Sequence, residues 1–157
     1  MQQMQQAETN LILVRGASGA GKSTVGELLE SHAQCKILST DDLFYIDGKY
    51  EFKKIMDKDP DMLRKNHQAI IDEVEVIMDD YDRMIRDTDY SWMPIDTVVV
   101  CNTFTELWEM EPYFELAAKH DWRVHTIVVE NRHGSNSVHN VPAHVIQSQK
   151  ERFEVVL

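Results

Sequence analysis

Cysteine is scarce in this chain. Only Cys35 and Cys101 occur in 157 residues, far apart and outside any CxxC pair. The two could in principle bridge, but two reduced thiols are the better reading, and a disulfide framework is excluded. Long apolar runs are also missing: none approaches the ~20 residues of a membrane span. The opening stretch MQQMQQAETN has neither a basic start nor an apolar core. No signal or transit peptide is expected from it, and a cytoplasmic setting follows as an expectation. Basic side chains are outnumbered, 16 Lys+Arg against 27 Asp+Glu, for a formal net charge of −11. Such a chain does not coat itself with nucleic acid or anionic lipid through its overall field, although one local pocket could still hold a phosphate.

What remains describes an ordinary folded domain. A length of 157 residues suits one domain, able to bury about 70% of its unfolded surface without staples. Hydrophobic residues at 43% and charged residues at 27% argue against wholesale disorder. The acid is uneven. Fifteen of the 27 carboxylates fall between Asp41 and Asp89, against 8 Lys+Arg there, while residues 119–157 carry 5 basic and 4 acidic groups with five of the seven histidines. An anionic ligand meets least repulsion toward the C-terminal end.

The order of elements is legible. Residues 11–14 (LILV) form a short continuous apolar run before a glycine-rich turn, which reads as a buried strand. A helix is predicted over 22–33, a second strand over 36–40, and a turn at DGKY. A long helix is predicted over 60–86, with Leu63, His67, Ile70, Ile71, Val74, Ile77 and Met78 as its stripe. The strongest strand covers 96–103, a helix 106–119, and a fourth strand 123–130. A polar loop over 131–142 precedes a last helix starting at Pro142, since proline suits the first helical position. Strands alternating with helices mean an α/β fold with a parallel sheet of about four strands. We find no repeat or linker, so 1–157 reads as a single domain, with 1–9 as a flexible segment.

One stretch carries chemistry. GASGAGKST, the run Gly16, Ala17, Ser18, Gly19, Ala20, Gly21, Lys22, Ser23 and Thr24, matches the phosphate-binding pattern G-x-x-x-x-G-K-[ST]. Its glycines permit backbone conformations and approaches that a Cβ would obstruct. Successive amides can then cradle phosphate oxygens at the positive end of the following helix. Lys22 can reach the β- and γ-phosphates, the Ser23 hydroxyl can coordinate Mg²⁺, and Thr24 is placed for the α-phosphate. The competing reading, an incidental glycine-rich turn, is weakened by the predicted strand before and helix after. The ligands implied are ATP and Mg²⁺. No NKxD-type guanine-reading sequence is present. A compact chain with a polar loop near its C-terminus suits a small phosphotransferase, that loop serving as a water-excluding lid.

The blocks LILVRGASGAGKST, LSTDD, DGKYEF, NTFTELWEMEPYFELA and VHNVPAHVIQSQKERFE resemble the small P-loop kinase family. That family includes the kinase domain of phage polynucleotide 5′-kinase and the kinase-like domain of the NEDD4-binding-protein group. The resemblance spans almost the whole chain in the expected order and implies a three-layer α-β-α P-loop fold with a C-terminal lid loop and helix. It implies that the carboxylate directly after strand two, Asp41, is the general base. A carboxylate at the C-terminal end of a parallel strand beside the phosphate loop also lies in the ligand crevice. The alternative for Asp41 and Asp42 is a helix cap or turn, with Asp42 the more cap-like. The acceptor implied is the 5′-hydroxyl of a nucleotide or a short nucleic-acid end. A small-metabolite kinase and a catalytically weakened ATP-binding regulator are the alternatives.

Two departures stand out. Where the family reads D-N-T-N, this chain has Cys101, Asn102, Thr103 and Phe104. Asn102 and Thr103 remain candidates for the acceptor site; Phe104 could stack a base or pack in the core. The usual lid arginine before N-x-H-G-V-P is here Asn136, and the nearest guanidinium, Arg132, either stands in for it or is simply a solvated loop residue. His67 matches a family histidine yet suits a core position. His133, His139 and His144 have no zinc-like spacing. Trp108, Tyr113 and Trp122 read as packing aromatics, and Asp79, Asp80 and Asp82 as a solvated helix end.

Overall fold

A computed structural model describes residues 8–30, 33–87, 93–134 and 136–156. Near-continuous apolar strands need cover on both faces, and that need organises the chain. The first strand, β1 (Asn10–Arg15), leads through the glycine loop into α1 (Lys22–Leu29), and β2 follows at Cys35–Leu38. After a 3-10 turn at Thr40–Phe44 come a small hairpin, β3 (Tyr45–Ile46) and β4 (Lys49–Tyr50), and α2 (Phe52–Lys58). The long α3 (Met62–Arg86), β5 (Thr97–Asn102), a 3-10 turn at Leu107–Met110, α4 (Glu111–His120), β6 (Arg123–Val128) and α5 (Ala143–Glu151) complete the order.

The main sheet is parallel throughout, in the order β2-β5-β1-β6. Arg15 stands beside Asn102 on one side and Val128 on the other, so three strands end together behind the phosphate loop. Side chains alternate across the sheet. Leu11, Leu13, Val98 and Val100 pack with Ile70, Val74 and Met78 of α3 and with Tyr113, Leu116 and Ala117 of α4. Val14, Val99 and Cys101 pack on the opposite face with Val25 and Leu29 of α1. The result is the expected three-layer α-β-α fold. Burying a Leu or Val side chain is worth roughly 1.5–3 kcal/mol, and β5, buried along its whole length, anchors both layers.

Several boundaries differ from the sequence reading, each for a local reason. The helix expected from Pro60 begins at Met62, and its buried stripe is Asn66, Ile70, Val74, Met78 and Tyr81. Leu63 shares the face of Ile70 and Val74 but stands in the first turn of α3, ahead of the buried part of the stripe that begins at Asn66, and is exposed. The last helix begins one residue after Pro142, which keeps an extended ψ of 143°. Helix α2 was not anticipated: none of its residues is buried, so no apolar stripe announces it. Ser31 and His32, within the helix predicted over 22–33, lie outside the described residues, and α1 ends at Leu29. Of the segment read as flexible, 1–7 lie outside the described residues, while the Thr9 carbonyl accepts the Arg123 amide.

Candidate active site

The phosphate loop leaves β1 with its start braced on β5, since the Gly16 amide donates to the Thr103 carbonyl at 3.1 Å. A Cβ on Gly16 would sit 2.5 Å from the Val129 carbonyl oxygen, so only glycine lets the loop pass the end of β6. Gly19 has φ +78° and lies against the lid loop, where an added Cβ would meet the Ser137 nitrogen at 2.9 Å. The loop is also tied to α5: the Ser18 amide donates to Gln149 Oε1 at 2.8 Å, and Gln149 is buried. The Lys22 ammonium is folded over the loop and donates to the Gly16 and Ala17 carbonyls at 2.9 and 3.0 Å. Burial lowers its pKa and the nearby Asp41 carboxylate pulls it back up.

Ser23 and Thr24 are exposed on the first turn of α1. The Ser23 hydroxyl is a hard oxygen donor and fits Mg²⁺, which usually takes few protein ligands beside phosphates and water. Cys101, where the family carries a carboxylate, offers that ion nothing. Its thiol, pushed up to about 11 by burial, stays protonated. It donates to the Lys22 carbonyl at 3.6 Å in space that the missing side chain of Gly26 leaves open. Among the described residues no group of three His, Cys, Asp or Glu side chains could hold a metal ion.

Asp41 rides on the 3-10 turn after β2. The cap of that turn is Ser39, whose Oγ accepts the Asp41 amide at 3.3 Å; Asp42, read as the more cap-like residue, is not the cap. Asn102 sets the height of the turn. Its Oδ1 accepts both the Thr40 amide at 3.0 Å and the Thr40 hydroxyl at 2.8 Å, all of it buried. Asn102 therefore acts by positioning Asp41's turn, and Thr103 contributes its backbone carbonyl. The carboxylate itself is held from two further segments that sequence reasoning did not connect to it. The Tyr50 hydroxyl donates to Asp41 Oδ1 at 3.2 Å, and His139 Nε2 lies 3.5 Å from Oδ2. Asp42 is exposed, and its pKa is raised by partial burial and by Asp41.

Phe104 packs in the core, edge-on to Tyr113 with centroids 5.4 Å apart, and is not a base-stacking surface. Its φ is +43°, a left-handed conformation that asparagine tolerates better than phenylalanine. His67 is half-buried rather than in the core. Burial lowers its pKa, while the Glu109 and Asp41 carboxylates oppose that shift.

On the other side of the loop lies a cavity of ≈ 810 Å³, within the usual range for small-molecule sites. Gly16, Ala17 and Ser18 form one wall, Val128 and Val129 another, and Ile146, Lys150 and Phe153 a third. Its third wall depends on Arg15, a residue sequence reasoning passed over. The buried guanidinium donates to the Phe104 carbonyl at 2.7 and 3.1 Å and to the Glu154 carbonyl at 2.8 Å, and lies 4.7 Å from the centre of the Phe153 ring. Arg132 is at the rim, 85% exposed, with its guanidinium on Glu130. Asn136 also lines the cavity.

A parallel sheet with a glycine loop between its central strand and a helix, and ligand space beyond the strand ends, defines a P-loop nucleotide-binding protein. The chain belongs to a family of AAA domains, whose model matches residues 11–156. It is 32% identical over 115 residues to NEDD4-binding protein 2 of Homo sapiens, a match covering 73% of this chain and 5% of that much longer protein. Its fold is shared with a gluconokinase from Sinorhizobium meliloti, at a TM-score of 0.56 and 20% identity, covering 94% of this chain and 76% of the other. The architecture, a parallel sheet with a phosphate loop between helical layers, is the fold it shares with that gluconokinase.

Proposed function

We propose that this chain transfers the γ-phosphoryl group of ATP to a hydroxyl, and that the acceptor is the 5′-hydroxyl of a nucleotide or a short nucleic-acid end. The observation that carries the reading is Asp41. The Asn102–Thr40 bonds hold its turn just past the end of β2, and its carboxylate is close enough to Lys22 to oppose the lowering of the ammonium's pKa by burial. In this reading the adenine occupies the cavity beside Phe153 and Ile146, and the triphosphate lies along Gly16–Thr24. Lys22 exchanges the Gly16 and Ala17 carbonyls for β- and γ-oxygens. Mg²⁺ held by Ser23 would offset charge on those oxygens. The acceptor oxygen bonds to the γ-phosphorus as the bond from that phosphorus to the β–γ bridging oxygen breaks. ADP leaves with the electron pair, and the acceptor's proton passes to Asp41.

Arg132 is the candidate cation for the transferred group, and it must first leave Glu130. The net charge of −11 favours a second reading, a kinase for a small metabolite. Labelled ATP offered with 5′-hydroxyl nucleotides and with sugars separates the two. Transfer to the nucleotides supports the first, and transfer to sugars alone supports the second. ATP binding without turnover on any acceptor would overturn both and leave a nucleotide-binding regulator.

A further inference from the structure

Beside Asp41 the structure gathers rings that the phosphate chemistry does not use. Tyr45 and Tyr50 stand on the two strands of the β3–β4 hairpin, Phe52 opens α2, and His139 comes from the lid loop. The Tyr50 ring and the His139 imidazole are stacked, 3.9 Å between centroids and 22° between planes. Phe52 lies on Tyr50 within 11° of parallel at 6.3 Å, and Tyr45 meets Tyr50 edge-on at 5.4 Å. Tyr45 and Phe52 are exposed, and Phe52 and Tyr50 rest on the buried Phe44 ring at 4.7 and 6.3 Å.

The two stacked side chains also divide the Asp41 carboxylate between them. Tyr50 holds Oδ1 and His139 faces Oδ2 at 3.5 Å. A base that takes a hydroxyl proton needs that hydroxyl within hydrogen-bond reach of a free oxygen. Tyr50 is fixed by its hairpin, whereas His139 belongs to a loop, so Oδ2 is the oxygen that can be freed. His139 thus presents a flat ring to Tyr50 and a ring nitrogen to Oδ2, the arrangement an acceptor with both a flat ring and a hydroxyl would need.

We propose that the face of Tyr50 now covered by His139 is the subsite for the acceptor's nucleobase, with His139 its resident place-holder. The incoming base takes the place of the imidazole, and its sugar hydroxyl reaches Oδ2. This rests on the reading of the chain as a kinase of nucleotide 5′-hydroxyls and adds the residue that selects for a base. Stacking tolerates every base because each has a π-face. The selection is therefore for a base over no base, not among bases.

The test compares two dinucleotide acceptors by kcat/KM. One has an ordinary 5′-terminal nucleoside; the other has a base-free tetrahydrofuran sugar bearing the same 5′-hydroxyl. The wild type should prefer the first by about 10-fold or more. Tyr50→Leu should erase the preference, and Tyr50→Phe should keep it while lowering kcat on both acceptors. His139→Ala should lower KM for the base-bearing acceptor. Equal use of both acceptors by the wild type, or a preference surviving in Tyr50→Leu, overturns the inference and leaves the kinase reading standing. A raised KM in His139→Ala overturns the place-holder role. Transfer to neither acceptor overturns the 5′-hydroxyl reading and this inference with it. If titration with a fluorescent ATP analogue shows Tyr50→Leu to be misfolded, the wild type and His139→Ala decide the question alone.

Discussion

The sides of this site proposed for the nucleotide and for the acceptor are built from different materials. The nucleotide side is chiefly backbone: Gly16 and Ser18 donate their amides, Gly16 and Ala17 offer carbonyls, and the cradle is one contiguous run between β1 and α1. The acceptor side is made of side chains from four segments. Asp41 stands on a 3-10 turn, Asn102 at the end of β5, Tyr50 on a hairpin and His139 in the lid loop. A backbone cradle tolerates little variation, because its shape is set by φ values that only glycine adopts easily. A side-chain cluster can be retuned one residue at a time. On the proposed function, the difference would put generality at the phosphates and selectivity at Asp41's end.

Substitutions should separate the two sides. The largest effect is expected from Lys22→Ala, which removes the cation nearest the β- and γ-phosphates. Transfer should be lost and ATP affinity weakened by calorimetry; unchanged affinity would break the nucleotide-side assignment. Next comes Asp41→Asn, expected to cost ~10²–10⁴-fold in kcat while ATP affinity holds. Turnover near the wild-type level would remove Asp41 as base.

Asn102→Leu tests positioning. It strips the Thr40 amide and hydroxyl of their buried acceptor, so unfolding in urea should show a loss of about 1–3 kcal/mol. A fall in kcat with little change in ATP affinity should accompany it. An ATP affinity that falls as far as kcat would mean the two sides are not separable. The smallest effect is expected from Gln149→Ala, which frees the Ser18 amide. ATP affinity should weaken by about 5-fold, the value of one hydrogen bond of ~1 kcal/mol, with acceptor KM unmoved. A change in acceptor KM instead would break the comparison.

The sequence reading was strongest where structure is local. The loop from Gly16 to Thr24, its strand and its helix follow from glycine spacing and apolar runs. The Asp47–Gly48 turn follows from its residues, and both have positive φ. The reading was weaker where a partner distant in sequence decides. Leu63 belongs to the apolar stripe by spacing, but it stands in the first turn of α3, before the buried stretch that starts at Asn66, so it stays exposed. Phe104 could not be assigned to stacking or to packing until its ring was seen against Tyr113. The Arg15 guanidinium gave no signal at all, because its partners are backbone carbonyls 89 and 139 residues away.

By itself the amino-acid order determined the phosphate loop, from residues within nine positions, and the α/β class, from strands and helices alternating along the chain, while the family resemblance made Asp41 a candidate. Only the tertiary structure decided what surrounds Asp41. Tyr50 lies nine residues away in sequence and His139 comes from the lid loop, yet each reaches one of its oxygens. Only the fold brought Phe153 to the phosphate loop to close the cavity. Such placements follow from how the layers pack against the sheet, and packing sums weak contacts across the chain that no short window of sequence contains.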